Sequence, residues 1–143
     1  MSEHAVFTKF FNKIEQVLPD LNTLAEAKLL GGLVEELLRE HGDTETDLAY
    51  VALDHALDHD GKLDQLYEDH HEIDNCLRKV QSATSRSEAV LLLKTAISSS
   101  RKHFQREEQL IFPLLERMLQ SETLSVLGSS WVEQRRSHAS AIR

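Results

Sequence analysis

The chain repeats one pattern, in which a histidine is followed four residues later by a glutamate and then by an apolar run. The first copy is His41 with Glu45, and the second is His103 with Glu107. Positions further along also correspond, since Tyr50 in the first copy matches Phe112 in the second. An internal repeat predicts that two similar supersecondary units fold in the same way and pack together.

A histidine next to an acidic residue also lies upstream of each copy. Glu3-His4 precedes the first copy, and Asp69-His70 precedes the second at a similar separation. The chain is therefore predicted to consist of two helical hairpins. Each hairpin contributes one histidine from its first helix and a His-Glu pair from its second helix.

Apolar residues recur at helical spacing along most of the chain. The predicted helices cover residues 2–18, 22–59, 62–81 and 87–119, with a short fifth helix at about 121–136 and a frayed tail beyond it. Pro19-Asp20 and Asp60-Gly61 separate the first three helices, and Ser85 to Glu88 resembles a capping box. Pro113 is expected to kink the fourth helix. Four long helices with short connections predict an all-α fold, an antiparallel four-helix bundle over about 2–120 within a single domain of residues 1–143.

The composition is that of an ordinary globular protein, with 143 residues, 41% hydrophobic and 28% charged. A net charge of −8 disfavours nucleic acid and anionic membranes as partners, because both would repel this surface. The N-terminus has no signal-peptide pattern, and no apolar run approaches the roughly 20 residues that span a bilayer. The single cysteine, Cys76, suits a reducing compartment. We therefore expect a soluble, cytoplasmic protein, whose oligomeric state the sequence leaves open.

The spacing of the repeated pair has a chemical consequence. Residues i and i+4 share one face of a helix, so a histidine and a glutamate at this spacing can converge on one point. Burying them in a bundle core is costly unless they are paired or coordinate a metal. One such pair alone is usually a surface contact, and the prediction depends on its repetition. Nitrogen and oxygen ligands without thiolates suit iron, manganese or zinc. The predicted ligands are His4, His41, Glu45, His70, His103 and Glu107.

The remaining histidines are not expected to bind this metal. His71 points about 100° away from His70 on a helix, so only one of the two faces the site. His55 and His59 lie too far along the helix from His41, and His138 belongs to the tail, where we expect it to be solvated. His4 is the weakest of the proposed ligands, since a histidine in the first turn of a terminal helix is often solvated. Trp131 is expected to cover one side of the bundle.

Two segments resemble the hemerythrin-like, or HHE cation-binding, domain family. They are Tyr67-Glu-Asp-His-His-Glu-Ile-Asp74 and Lys102-His-Phe-Gln-Arg-Glu-Glu-Gln-Leu-Ile-Phe-Pro-Leu-Leu115. The latter segment is similar to the family's His-x-x-x-Glu-Glu-x-x-Leu-Phe-Pro pattern, and the weaker first copy extends the resemblance over about residues 3–120. The resemblance implies a non-haem site of two iron ions with an oxo or hydroxo bridge. It makes the four histidines terminal ligands and the two glutamates, Glu45 and Glu107, bridges.

The sequence departs from the family pattern in two respects. The stronger motif pair comes second in the chain, as though the order were permuted. Oxygen-carrying hemerythrins also use a further histidine one turn beyond a first-helix ligand, where this chain has Thr8 and Asp74. The chain therefore resembles a variant with four histidines and two glutamates, which argues against reversible oxygen carriage. Either one coordination position is open or Asp74 fills it.

The sequence is compatible with three functions. The first, which the resemblance favours, is a non-enzymatic di-iron protein that binds or senses a small ligand such as oxygen or nitric oxide, or that acts in iron or redox stress. The second is a di-iron oxidase or peroxidase; these enzymes use Glu-x-x-His motifs and more carboxylates, so it ranks lower. The third is a metal-free helical bundle that binds a partner.

Overall fold

A computed structural model of the protein describes residues 2–56, 61, 63–118 and 121–141. Within these ranges every regular element is helical, which confirms the all-α prediction. The helices are α1 (Ser2–Val17), α2 (Leu24–Glu45), α3 (Val51–Ala56), α4 (Asp64–Gln81), α5 (Arg86–Arg106), α6 (Phe112–Met118) and α7 (Ser121–Ala141). A 3₁₀ turn, Leu18–Asp20, follows α1. Two π-helical segments, Thr46–Tyr50 and Glu107–Ile111, join α2 to α3 and α5 to α6.

Side-chain caps explain where α2 and α5 begin. The Thr23 hydroxyl accepts a hydrogen bond from the Glu26 N–H and donates one to the Glu26 carboxylate, each at 3.1 Å. The Glu88 N–H donates to Ser85 Oγ at 3.2 Å, as the predicted capping box requires. The Glu88 carboxylate closes the second cap one residue earlier than predicted, because it accepts from the Thr84 N–H at 3.0 Å. Both caps satisfy backbone donors that lack a partner within the helix.

The second and fourth predicted helices are not continuous α-helices. In each, the backbone widens for five residues, so that Val51 N–H bonds the Thr46 carbonyl and Phe112 N–H bonds the Glu107 carbonyl. Pro113 follows the second π segment and lacks a backbone donor. Proline is not the common cause, since no proline lies near Thr46–Tyr50. The two segments share their position relative to the repeated His-Glu pair: one begins directly after Glu45, and the other begins at Glu107.

Helix α7 corrects two expectations. It has 21 residues, as many as α5, and it continues to Ala141 where a frayed tail was predicted. Part of the reason is a set of polar contacts with α2 and the first π segment: Arg135 Nη1 lies 3.0 Å from the Glu40 carboxylate, and Gln134 Nε2 donates to Asp47 at 3.2 Å. His138 lies half-buried on this helix, with its Nδ1 shielded from solvent, rather than in a loose tail.

Backbone contacts divide the chain into two compact units. The first unit comprises Met1–Glu36 and Asp69–Gln105. Its core contains Phe11 and Leu18 of the N-terminal segment with Leu77, Leu93 and Ile97, all fully or almost fully buried. The Phe11 and Phe104 rings stack at 6.1 Å, and the Arg101 guanidinium lies over Phe11 at 5.6 Å.

The second unit comprises Leu37–Glu68 and Arg106–Arg143. Its buried cluster contains Tyr50, Leu53, Leu63, Leu66 and Ile111, so the first and second π segments each contribute a residue to it. Gly61, three residues before α4, has a φ of +81°, a conformation that favours glycine. In the part of the chain that the structure describes, no helix is both long and apolar enough to cross a membrane.

Candidate metal centre

His4 is buried despite its position in the first turn of α1, with 2% of its surface exposed. Its ring stacks on Phe104 of α5, with the centroids 4.2 Å apart and the planes at 14°. The alternative that His4 is a solvated residue at a frayed end is therefore wrong. Thr8, one turn further along, donates its hydroxyl to the His4 carbonyl at 2.9 Å.

His70 of α4 and His103 of α5 face each other across the two helices. Their Nε2 atoms lie 2.8 Å apart, and the rings meet edge to face with centroids 4.5 Å apart. His103 is 1% exposed, and His70 is half-buried. His71 is exposed, as the helical rotation between adjacent residues predicted.

A third polar residue, Asp69, completes this group of side chains. It is 6% exposed, and its Oδ2 lies 3.1 Å from Nδ1 of His103. Sequence reasoning noted Asp69 only as the neighbour of His70. It missed this contact because the partner is a histidine on a different helix, and no spacing in the chain signals such a pair.

His41 and Glu45 form the other half of the repeated motif on α2. His41 Nε2 lies 3.2 Å from Glu45 Oε1, with both side chains only 2% exposed. The pair therefore shares one buried helix face, as the i, i+4 spacing predicts. The Trp131 ring of α7 meets the His41 ring edge-on, with centroids 5.7 Å apart. Glu107, the first residue of the second π segment, is fully buried.

The predicted ligands fall into two groups that share both glutamates. Within each group, one possible ligand atom from every residue lies within 4.8 Å of the others. The first group is His4, His41, Glu45 and Glu107, and the second is Glu45, His70, His103 and Glu107. Among the described residues no other histidine, cysteine or acidic residue forms such a group, and this includes Asp74. The side chains of His55 and His59 lie outside what the structure describes.

The donor atoms of these groups could hold metal ions. Each group offers two imidazoles and two carboxylates, without a thiolate, and this mixture suits iron, manganese or zinc. A carboxylate that belongs to both groups has two oxygens with which to bridge two ions. Every residue of the two groups is buried except His70, which is half-buried. An unpaired charge at a buried position would be costly to desolvate.

Comparison with known protein families also indicates a protein that binds metal ions. The family model described as "Hemerythrin HHE cation binding domain" matches residues 1–115, which is most of the chain. The protein therefore belongs to the hemerythrin HHE cation-binding domain family. No curated protein and no solved structure matches the chain significantly. The match includes all six grouped residues and ends before α7.

Proposed function

We propose that this chain is a non-haem di-iron protein that binds or senses a small ligand, such as oxygen or nitric oxide, or that acts in the response to iron or redox stress. The observation that carries the proposal is the pair of His/Glu groups that share Glu45 and Glu107. Two ions with two common carboxylates account for this arrangement more simply than two separate sites would.

The proposed roles follow from group membership. His4 and His41 would hold one ion, His70 and His103 would hold the other, and Glu45 and Glu107, which belong to both groups, would be shared by the two. When bound, an iron pair supplies reversible electron transfer and a coordination position for a small ligand. The antiparallel four-helix arrangement belongs to this proposal too, as the scaffold that the family membership suggests.

The balance of ligands supports binding over turnover. Four imidazoles and two carboxylates make a nitrogen-rich set, whereas oxidase-type bundles use more carboxylates. Phe104 against His4 and Trp131 against His41 place aromatic rings beside the ligands, which limits the access of water. A di-iron oxidase or peroxidase is the alternative, and manganese or zinc are the alternative metals.

Metal analysis of the purified protein after anaerobic loading with Fe²⁺ tests the proposal. We expect about two irons per chain, and we expect the Glu45→Ala/Glu107→Ala variant to bind essentially none, because it lacks both proposed bridges. The matched control is Asp43→Ala/Glu108→Ala, which removes two exposed acids next to the site. Full iron binding by the first double variant, or equal loss in the control, would contradict the proposed centre.

Absorption spectra distinguish the kinds of function. Spectra of the loaded protein under air, after anaerobic reduction and with nitric oxide are expected to show discrete ligand-dependent bands that reverse when the ligand is removed. Steady consumption of oxygen or peroxide would favour the enzymatic alternative instead. A protein without bound metal would leave only the helical interaction bundle.

The proposal also covers the compartment, the partners and the domain organisation of the protein. The lone cysteine suits a reducing compartment such as the cytoplasm, and the charge of −8 disfavours nucleic acid and anionic membranes. We treat residues 1–143 as one domain, because α2, α4 and α5 each contribute residues to both compact units. No oligomeric state is assigned.

A further inference from the structure

Asp69 is not one of the six proposed ligands, yet its side chain is buried. It lies on α4, immediately before His70, and its Oδ2 is 3.1 Å from Nδ1 of His103 on α5. Its side chain is 7% exposed and that of His103 is 1% exposed. Burying a carboxylate has a high desolvation free energy, so its contact with an imidazole needs a chemical explanation.

The contact determines which nitrogen of His103 carries hydrogen. An ionised carboxylate only accepts hydrogen bonds, so the Nδ1 that faces Asp69 must donate one. In a neutral His103 the lone pair is then on Nε2, the atom that lies 2.8 Å from Nε2 of His70. Metal ligation requires a neutral imidazole with its lone pair towards the ion, and Nε2 of His103 meets that requirement.

The same geometry makes the two histidines of this pair unequal. With the lone pair of His103 on Nε2, a hydrogen bond between the two Nε2 atoms has His70 as its donor. An ion held by both nitrogens needs a lone pair on each. His103 meets this requirement in the tautomer that Asp69 favours, whereas His70 would have to carry its hydrogen on Nδ1.

We propose that Asp69 is a positioning residue that presets the tautomer and the ring orientation of His103 for the ion held with His70. This inference rests on the proposed di-metal function and adds a residue to it. An outer carboxylate that orients a ligating histidine typically changes metal affinity by about 10–100-fold when it is removed.

The first experiment needs no metal. Two-bond ¹H–¹⁵N spectra of the metal-free protein, at a pH where the imidazoles are neutral, report the tautomer of each histidine. We expect hydrogen on Nδ1 of His103 and on Nε2 of His70 in the wild type. In Asp69→Ala, His103 is expected to lose this preference. Asp69→Asn, which keeps the shape and one acceptor oxygen, is expected to restore it in part.

The second experiment measures the dissociation constant for Co²⁺ by visible absorption. We expect binding to weaken by about 10–100-fold in Asp69→Ala and by less in Asp69→Asn. Glu72→Ala, which removes an exposed carboxylate from the same helix, is the control and should bind as the wild type does. An unchanged His103 tautomer in Asp69→Ala, or equal weakening in Glu72→Ala, would overturn the role of Asp69. Absence of metal binding by the wild type would instead refute the proposed function, and the tautomer measurement separates the two failures.

Discussion

Individual residues in this protein are placed where their environment changes their chemistry. Tyr67 is an example outside the ligand set. Its ring meets Tyr50 edge-on at 5.4 Å, and two acidic residues, Asp54 and Asp64, lie close enough to act on its hydroxyl. Burial first, and then the two carboxylates, raise the pKa of Tyr67 above its ordinary value of 10.0, because both disfavour the phenolate.

This pKa predicts how stability changes in alkali. The unfolded tyrosine ionises near pH 10.0, before the folded one does, so the free energy of unfolding falls as the pH rises through that range. In Asp54→Asn the Tyr67 pKa should move back towards 10.0, and the alkaline loss of stability should be smaller. Ultraviolet titration of tyrosinate measures the pKa, with Tyr67→Phe to identify the signal and Asp20→Asn as an exposed control. An unchanged titration in Asp54→Asn would refute the electrostatic cause.

At the level of helices, close packing depends on one glycine. A Cβ on Gly31 of α2 would lie 2.7 Å from Cγ1 of Val80 on α4, which is closer than real contacts allow. Its neighbour Gly32 has more room, since the nearest atom is the flexible Gln81 amide at 3.6 Å. The two glycines therefore have different roles: Gly31 lets two helices approach, whereas Gly32 only lowers helix propensity.

The two positions make a matched test. Gly32→Ala should raise the free energy of unfolding by up to about 1 kcal/mol through helix propensity. Gly31→Ala should lower it by about 1–3 kcal/mol, because overpacking against Val80 outweighs the same gain. The double variant Gly31→Ala/Val80→Ala should lose less than its two single changes together predict. Urea unfolding measures each of these proteins. Equal effects of the two glycine changes would show that the contact with Val80 is unimportant.

Over the whole molecule, α7 lies beyond the residues that the family model matches. The match to the family ends at residue 115, and α7 begins at Ser121. Trp131, Gln134 and Arg135 lie on one face of α7 and contact His41, Asp47 and Glu40 respectively. The helix is thus held beside one proposed ligand by an aromatic contact and two polar ones.

The contact makes the single tryptophan a reporter of metal binding. Iron held by His41 would lie close to the indole, so its absorption bands should quench Trp131 fluorescence by energy transfer. We expect the emission to fall as Fe²⁺ is added and the sample is oxidised. The quenching should be lost in His41→Ala and retained in His71→Ala, whose histidine is exposed. Equal quenching in both variants would place the iron elsewhere.

The sequence by itself determined the features that depend on local helical geometry. The i, i+4 spacing of His41 and Glu45 brings them onto one face of any α-helix, and their 3.2 Å contact in the structure agrees with it. Likewise, the Ser85 to Glu88 capping box and the apolar periodicity predicted where α5 begins. The repeat then indicated which six residues to consider together.

Only the tertiary structure decided the features that depend on how separate helices pack. The burial of His4 depends on Phe104, and the contact of Asp69 with His103 depends on the approach of α4 to α5. The length of α7 was underestimated because its stabilising partners lie on α2 and the first π segment rather than along its own sequence. The π segments that follow Glu45 and begin at Glu107 also correspond to no periodic pattern in the sequence. Interactions between residues distant in the chain leave no regular spacing, and this is why the sequence alone could not predict them.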